Sequence, residues 1–146
     1  MNHARTAIRE ALVAALAAGG TSAGARVYDH PADVRTAWPA LVVEDLGEQH
    51  QALTLPGGAD RRIERRYEIE VTAELQQTTG YASARDELLA DVEAIAVAAT
   101  LPGIKHIVPT SYLPDMTNVG ERPIVIGRQR FEVVYITTQG DPANTL

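Results

Sequence analysis

The residue types that most often bind metals or transfer protons are thinly spread along this chain. The sequence contains no cysteine, so disulfides, thiolate metal sites and cysteine nucleophiles are excluded. The histidines lie in separate segments, without an HExxH motif or any spacing that would place two on one helix face: His3, His30, His50 and His106. We therefore expect no metal site, no bound cofactor and no enzymatic activity.

Four carboxylates lie in a segment with strict period-two alternation, RRIERRYEIEVTAELQ, over residues 61–76. Such alternation predicts a long strand with two unlike faces. The apolar face carries Ile63, Tyr67, Ile69, Val71, Ala73 and Leu75. The other face carries Glu64, Arg66, Glu68, Glu70, Thr72 and Glu74. So polar a face must meet water, a solvated channel or a charged partner.

Glu68 and Glu70 lie side by side on this predicted face, as an acid and base pair would. Arg65 and Arg66 are close in sequence, however, and favour a salt-linked surface instead. We interpret the face as an interaction surface. The residues that we predict to contact a neighbouring subunit or another protein are Glu64, Arg65, Arg66, Glu68, Glu70, His50, Asp115 and Glu121.

Other ligand classes find little support in the sequence. The chain has 13 basic and 19 acidic residues, a net charge of −6, which argues against binding to a phosphate backbone. Neither glycine pair lies in a P-loop or a GxGxxG motif, and no serine lies in a GxSxG motif. The apolar segment 7–18 is interrupted by Arg9 and Glu10 and is too short to cross a bilayer, so we expect no membrane association.

Hydrophobic periodicity predicts an α+β fold within a single domain over 1–146. We expect helices over 7–18 and 83–99, where apolar residues recur at three-four spacing. Strands are predicted over 26–28, 40–43, 61–76, 104–113 and 128–138. Helices separated by runs of strands favour a mixed, mostly antiparallel β-sheet with two α-helices packed on one face.

Two polar segments between these elements are predicted to be exposed. Residues 45–60 form a long loop or a β-hairpin arm that reaches out from the sheet, with His50 near its start. Residues 114–122 are rich in turn formers and are predicted to form a second loop. The polar segment 140–146 is predicted to be a flexible tail.

The order and content of the segments resemble the tail terminator proteins of long-tailed, siphovirus-type (lambda-like) bacteriophages. The matching features are the opening IREALVAALAAG leading into ARVYDH, then WPALVVED, RRYEIEVTAEL, ARDELLADVEAIAVAA and the closing FEVVYITTQGDP. They span nearly the whole chain. They are patterns rather than chemical signatures, and segments 45–60 and 114–122 have no counterpart in them.

The resemblance implies a structural role in the virion, at the head-proximal end of the tail, after assembly in the host cytoplasm. Such proteins form a ring, usually a hexamer, that stops polymerisation of the tail tube and provides the surface on which the head docks. The implied partners are further copies of the chain, the tail tube protein and a head-neck connector protein. DNA would pass through the lumen without specific binding, which surplus carboxylates would favour by repulsion.

Three other functions stay open on sequence alone. A different neck, head-tail completion or tail tube protein can share the same elements, because function lies in the surfaces. A small metal-dependent hydrolase would use His50 or His106 with a nearby carboxylate. A monomeric adaptor would never associate with tail components.

Overall fold

The computed structural model describes residues 2–30, 37–53, 61–76, 79–119 and 122–146. Its helices are α1 (Ala4–Ala18) and α2 (Tyr81–Ala98). Its strands are β1 (Val27–Tyr28), β2 (Ala40–Ala52), β3 (Arg62–Gln76), β4 (Ile104–Val119), β5 (Arg122–Thr138) and β6 (Asp141–Thr145).

The strands form one sheet in the order β1-β2-β3-β5-β4, and β6 pairs with β5. The β1–β2 pairing is parallel, and the other pairings are antiparallel. The predicted α+β class with a mixed, mostly antiparallel sheet is therefore confirmed. β3 lies at the centre and pairs along its whole length with β5, from Arg62 opposite Thr138 to Gln76 opposite Ile124.

Both helices pack on the same face of the sheet, as the sequence predicts. α1 turns Ile8, Leu12 and Leu16 into the core, and all three are fully buried. α2 contributes Leu88, Leu89, Val92 and Ala96 to the same cluster. These side chains meet the apolar faces of the central strands, where Tyr67, Ile69, Phe131 and Tyr135 are fully buried. The hydrophobic core thus lies between the helices and one side of the sheet.

A glycine in β5 allows α2 to approach the sheet closely. Gly127 lies opposite Ala73 on the helix-covered face, so two small residues stand side by side under the helix. A Cβ atom at Gly127 would lie 2.7 Å from Leu89 Cδ1 and 2.9 Å from Arg85 Cδ. These separations are shorter than carbon atoms tolerate, so α2 depends on the missing side chain at this point.

Several predicted boundaries are wrong. β2 does not end at residue 43 but continues to Ala52, paired with β3, so the described part of segment 45–60 belongs to the sheet rather than to a projecting arm. Residues 54–60 lie outside the described residues. α2 begins at Tyr81 after Gly80, two residues before the predicted start, because Gly80 takes the left-handed conformation at φ 63°.

The second predicted loop and the predicted tail are also corrected. Residues 114–119 continue β4, because they pair with the start of β5 in a long hairpin. Pro114 is tolerated there since β4 is an edge strand. The segment predicted as a flexible tail forms β6, and Leu146 N donates a hydrogen bond to Ile136 O at 2.8 Å.

We predict that Gly127→Ala lowers the free energy of unfolding by about 1 to 3 kcal/mol, because the added methyl group overpacks the contact with Leu89. Urea unfolding of the single variant, of Leu89→Ala and of the double variant measures the coupling between them. The double variant should be less destabilised than the sum of the two single changes, since Leu89→Ala removes the closer of the two clashing side chains. Strictly additive free energies would contradict this account of the contact.

Candidate interaction surface

The face of the sheet opposite the helices carries most of the charge that the sequence places on strands. Strand register assigns eleven charged residues of β2 to β5, among those whose side chains the structure describes, to this face, and we call these residues the charged face. They are Glu44 on β2, Arg62, Glu64, Arg66, Glu68, Glu70 and Glu74 on β3, Asp115 on β4, and Arg128, Arg130 and Glu132 on β5. Seven carboxylates stand against four guanidinium groups, so the formal charge of this face is −3.

Arg66 links two carboxylates near one end of the charged face. Its guanidinium lies 2.8 Å from Glu64 on the same strand and 3.1 Å from Glu132 on β5. The side chain of Arg66 is 44% exposed, so each ion pair contributes no more than about 1 kcal/mol to stability. Arg66 therefore determines the local pattern of charge and contributes little to the free energy of unfolding.

Glu70 is the centre of a second, better covered group. Its side chain is 7% exposed and lies 2.9 Å from Arg130, which is directly opposite on β5. Arg128 lies 3.9 Å from Glu70 and 3.3 Å from Asp115 on β4. One chain of alternating charge therefore runs across three strands and links two predicted interface residues, Glu70 and Asp115.

Like charges also meet on this surface. Glu68 lies directly opposite Glu132, and Glu44 lies directly opposite Glu70. Carboxylates at facing positions repel each other and destabilise strand pairing. The arginines around Glu70 and Glu132 offset part of the repulsion, and the remaining excess of negative charge gives the face an acidic field.

Two of the predicted interface residues lie on the other side of the sheet. Arg65 and His50 are paired opposite each other and face the helices. Arg65 is buried, and its Nε donates a hydrogen bond to Thr137 Oγ1 at 2.8 Å. The His50 side chain is 49% exposed at the rim of this face. Arg65 is thus held inside the subunit, whereas His50 reaches solvent.

A β-bulge in β2 places a carboxylate beside these two residues. Asp45 pairs with Ile69, but Gly47 pairs with Glu68 and Glu48 with Tyr67, so one extra residue enters the strand. The bulge reverses the alternation and turns Glu48 towards the helices instead of the charged face. Gly47 has φ 118°, in the region that favours glycine.

Glu48 is the most heavily bonded carboxylate on this side of the sheet, with a side chain that is 3% exposed. Its oxygens lie 3.2 Å from Arg5 of α1, 3.2 Å from Arg65 of β3 and 2.6 Å from His50 Nε2. The hydroxyl of Tyr135 in β5 donates a further hydrogen bond to it. We call Glu48 and these four partners the Glu48 cluster.

The Glu48 cluster perturbs the acidity of its members. Burial on its own would raise the pKa of Glu48, but hydrogen bonds from Tyr135, His50 and Arg65 outweigh burial and hold that pKa below its ordinary value. Burial raises the pKa of the Tyr135 hydroxyl, and the neighbouring Glu48 charge raises it further. Glu48 is therefore a carboxylate and Tyr135 a neutral donor at neutral pH.

The geometry around His50 and Glu48 does not favour the alternative function of a small metal-dependent hydrolase. His50 does contact a carboxylate, but Glu48 is enclosed and its oxygens already accept bonds from Arg5, Arg65 and Tyr135, so it is not open to a substrate. His3 accepts a hydrogen bond from Arg5 N at the start of α1. Within the described ranges, no three histidine, aspartate or glutamate side chains converge as a metal site would require.

The structure brings some predicted interface residues together and separates others. Glu64, Arg66, Glu68, Glu70 and Asp115 share the charged face, whereas Arg65 and His50 join the Glu48 cluster. Glu121 lies outside the described residues. Sequence reasoning missed Arg128, Arg130 and Glu132, although their alternation in β5 indicates a shared face. It missed Glu48 because the bulge breaks the period-two pattern on which the prediction depends.

Comparison with known proteins finds a similar fold but no matching family. No family model matches the chain, and no curated protein matches it. The chain is similar to a chain in the solved structure described as the virion of a native gene transfer agent (GTA) particle, with a TM-score of 0.58 and 17% sequence identity. The similarity covers 89% of this chain and 96% of that chain. In the part of the chain that the structure describes, no helix is long and apolar enough to cross a membrane.

We predict that Glu48→Gln lowers the free energy of unfolding by about 3 kcal/mol at neutral pH, because it removes the buried partner of Arg5 and Arg65. The folded-state pKa of Glu48 is depressed, so its contribution is complete above the ordinary carboxyl pKa of 4.5 and is lost as the pH falls through the lower folded value. The stability gap between wild type and variant should therefore narrow below that pH. Urea unfolding from neutral to acidic pH measures the gap.

The matched control is Glu64→Gln, which removes one carboxylate from the charged face, where it pairs with the exposed Arg66. We expect it to change the free energy of unfolding by no more than about 1 kcal/mol. Two results would show that the Glu48 cluster does not stabilise the fold as described. One is an equal effect of the two substitutions, and the other is a difference in free energy of unfolding between wild type and Glu48→Gln that does not change with pH.

Proposed function

We propose that this chain is a structural protein of a phage-like virion and acts as its tail terminator. The observation that carries the proposal is the fold shared with a chain of a gene transfer agent virion, which extends over 96% of that chain. The resemblance of its segments to tail terminators gives the more specific role. In this role, a ring of copies, six in our proposal, caps the head-proximal end of the tail tube, stops polymerisation and receives the head.

The charged face suits such a ring. It lies on a sheet whose other face is covered by helices, and it exposes charged side chains such as Arg66 and Glu68, so it is available to line a channel or to meet another protein. Its formal charge of −3 would repel a passing DNA duplex and allow it to slide without binding. Ring contacts between copies are heterologous, since one patch must meet a different patch on the next subunit.

The nearest rival is another neck, head-tail completion or tail tube protein. The virion similarity supports these roles as well, because one fold can serve several positions in a particle. What separates them is the effect on tube growth. A terminator limits tail length, whereas a neck or joining protein acts after the length is set.

The experiment that tests the proposal disrupts this gene in the phage or phage-like element that encodes it and records tail lengths and head attachment by negative-stain electron microscopy. We expect overlong tubes without heads, because nothing would stop polymerisation. Headless tails of normal length would support a neck or joining role. Intact particles of normal length would overturn the virion role altogether.

We further predict that Arg66→Glu impairs termination while the subunit still folds. The reversal places a third carboxylate between Glu64 and Glu132 and changes the charge of the face by two units, so contacts that depend on this pattern should fail. Complementation of the disrupted gene, scored by tail length, measures the effect, and a circular dichroism melt verifies folding. Lys105→Glu makes the same charge change at an exposed position outside the charged face and should complement normally. Normal tails with Arg66→Glu would remove Arg66 from the interface.

A further inference from the structure

A groove lies between α2 and the edge strand β4, on the side of the sheet away from the charged face. It has a volume of about 330 Å³ and is lined by Asp86, Leu89, Ala90, Glu93, Tyr112 and Gln129. A second depression continues it along α2, past Ala90 and Ala94 to Val97, which is 54% exposed. Together they form an apolar strip with acidic side chains beside it.

Each polar group that we consider at the groove can attract a cation or accept a hydrogen bond from one. Asp86 and Glu93 supply carboxylates. Tyr112, a residue that is 43% exposed, supplies an aromatic ring. The Gln129 amide nitrogen donates to Ser111 O at 3.0 Å and Arg130 O at 3.2 Å, so the carbonyl oxygen is what this side chain can offer to a ligand.

The local charge also favours a cation. α2 carries four carboxylates on exposed positions, at Asp86, Glu87, Asp91 and Glu93, and one arginine, Arg85. Arg85 lies 3.6 Å from Asp86 and 5.7 Å from the centre of the Tyr112 ring, so it offsets part of the negative charge at one end of the groove. Glu93, by contrast, makes no ion pair with any of the residues that the structure describes.

We infer that this groove binds an arginine side chain of a partner protein, on a segment whose neighbouring side chains are apolar. A planar guanidinium can donate to Glu93 and to the Gln129 carbonyl oxygen while it stacks on the Tyr112 ring, which an ammonium group does less well. The apolar neighbours then cover Leu89, Ala90 and Val97. The inference concerns the surface of one subunit and does not depend on a ring or on its position in a virion.

The test titrates the full-length, ¹⁵N-labelled protein with the blocked tripeptide N-acetyl-Leu-Arg-Leu-amide and follows amide shifts by NMR. We expect saturable shifts at Ala90, Glu93 and the Gln129 side-chain amide, with a dissociation constant on the order of 1 mM for so small a probe. The same peptide with citrulline in place of arginine has nearly the same shape without the charge, and it should not produce these shifts.

Two substitutions on α2 give matched variants. Glu93→Gln should weaken peptide binding by about fivefold, whereas Glu87→Gln, which removes an exposed carboxylate from outside the groove, should leave it unchanged. Absent shifts, equal shifts with the citrulline peptide, or equal effects of the two variants would each overturn the inference. Shifts at the groove that depend on protein concentration without peptide would also overturn it, because a second copy of the chain would then be the occupant.

Discussion

The buried carboxylate of Glu48 is the constraint on which the arrangement of this molecule depends. It joins Arg5 at the start of α1, Arg65 in β3 and Tyr135 in β5 to its own strand, β2. A carboxylate so enclosed is stable only while its donors stay in place, since loss of one leaves a buried charge without compensation. Helix and sheet are therefore held in one relative position. The β-bulge at Gly47 makes this possible because it turns Glu48 to the helix side.

The position of the helices determines what remains for function. Both cover the same face, so the helices leave the other face of the sheet uncovered, and it carries eleven charged residues, of which Glu70 is buried beside its arginine partners. Most of these charges are matched within the subunit, as in the chain from Asp115 through Arg128 to Glu70, and the surplus is acidic. A surface of this kind lends itself to repeated contacts and to a channel for DNA. The proposed terminator role rests on this combination and on the fold shared with a virion chain.

The sequence predicts the central architecture well because that architecture follows from local periodicity. β3 begins within one residue of its predicted start, since its alternation is unbroken from Arg62 to Gln76. Features that depend on pairing between distant segments escape prediction. Turn-forming residues such as Pro114 suggest a loop, but their register with β5 makes them a strand. The role of Glu48 cannot be predicted from the sequence, because one inserted residue in β2 turns every later side chain of that strand to the opposite face. The partners of Glu70 on β5 can be identified only when the register between β3 and β5 is known.

The most direct test of the terminator proposal is to locate the chain in the finished particle. The chain would carry a small affinity tag at its carboxyl end, after β6, and particles that remain infectious or transfer-competent would be labelled with gold and imaged by electron microscopy. The account predicts gold at the junction of tail and head, at one site per particle. Gold along the tube, on the capsid or at the distal tip of the tail, or particles that lack the chain, would contradict it.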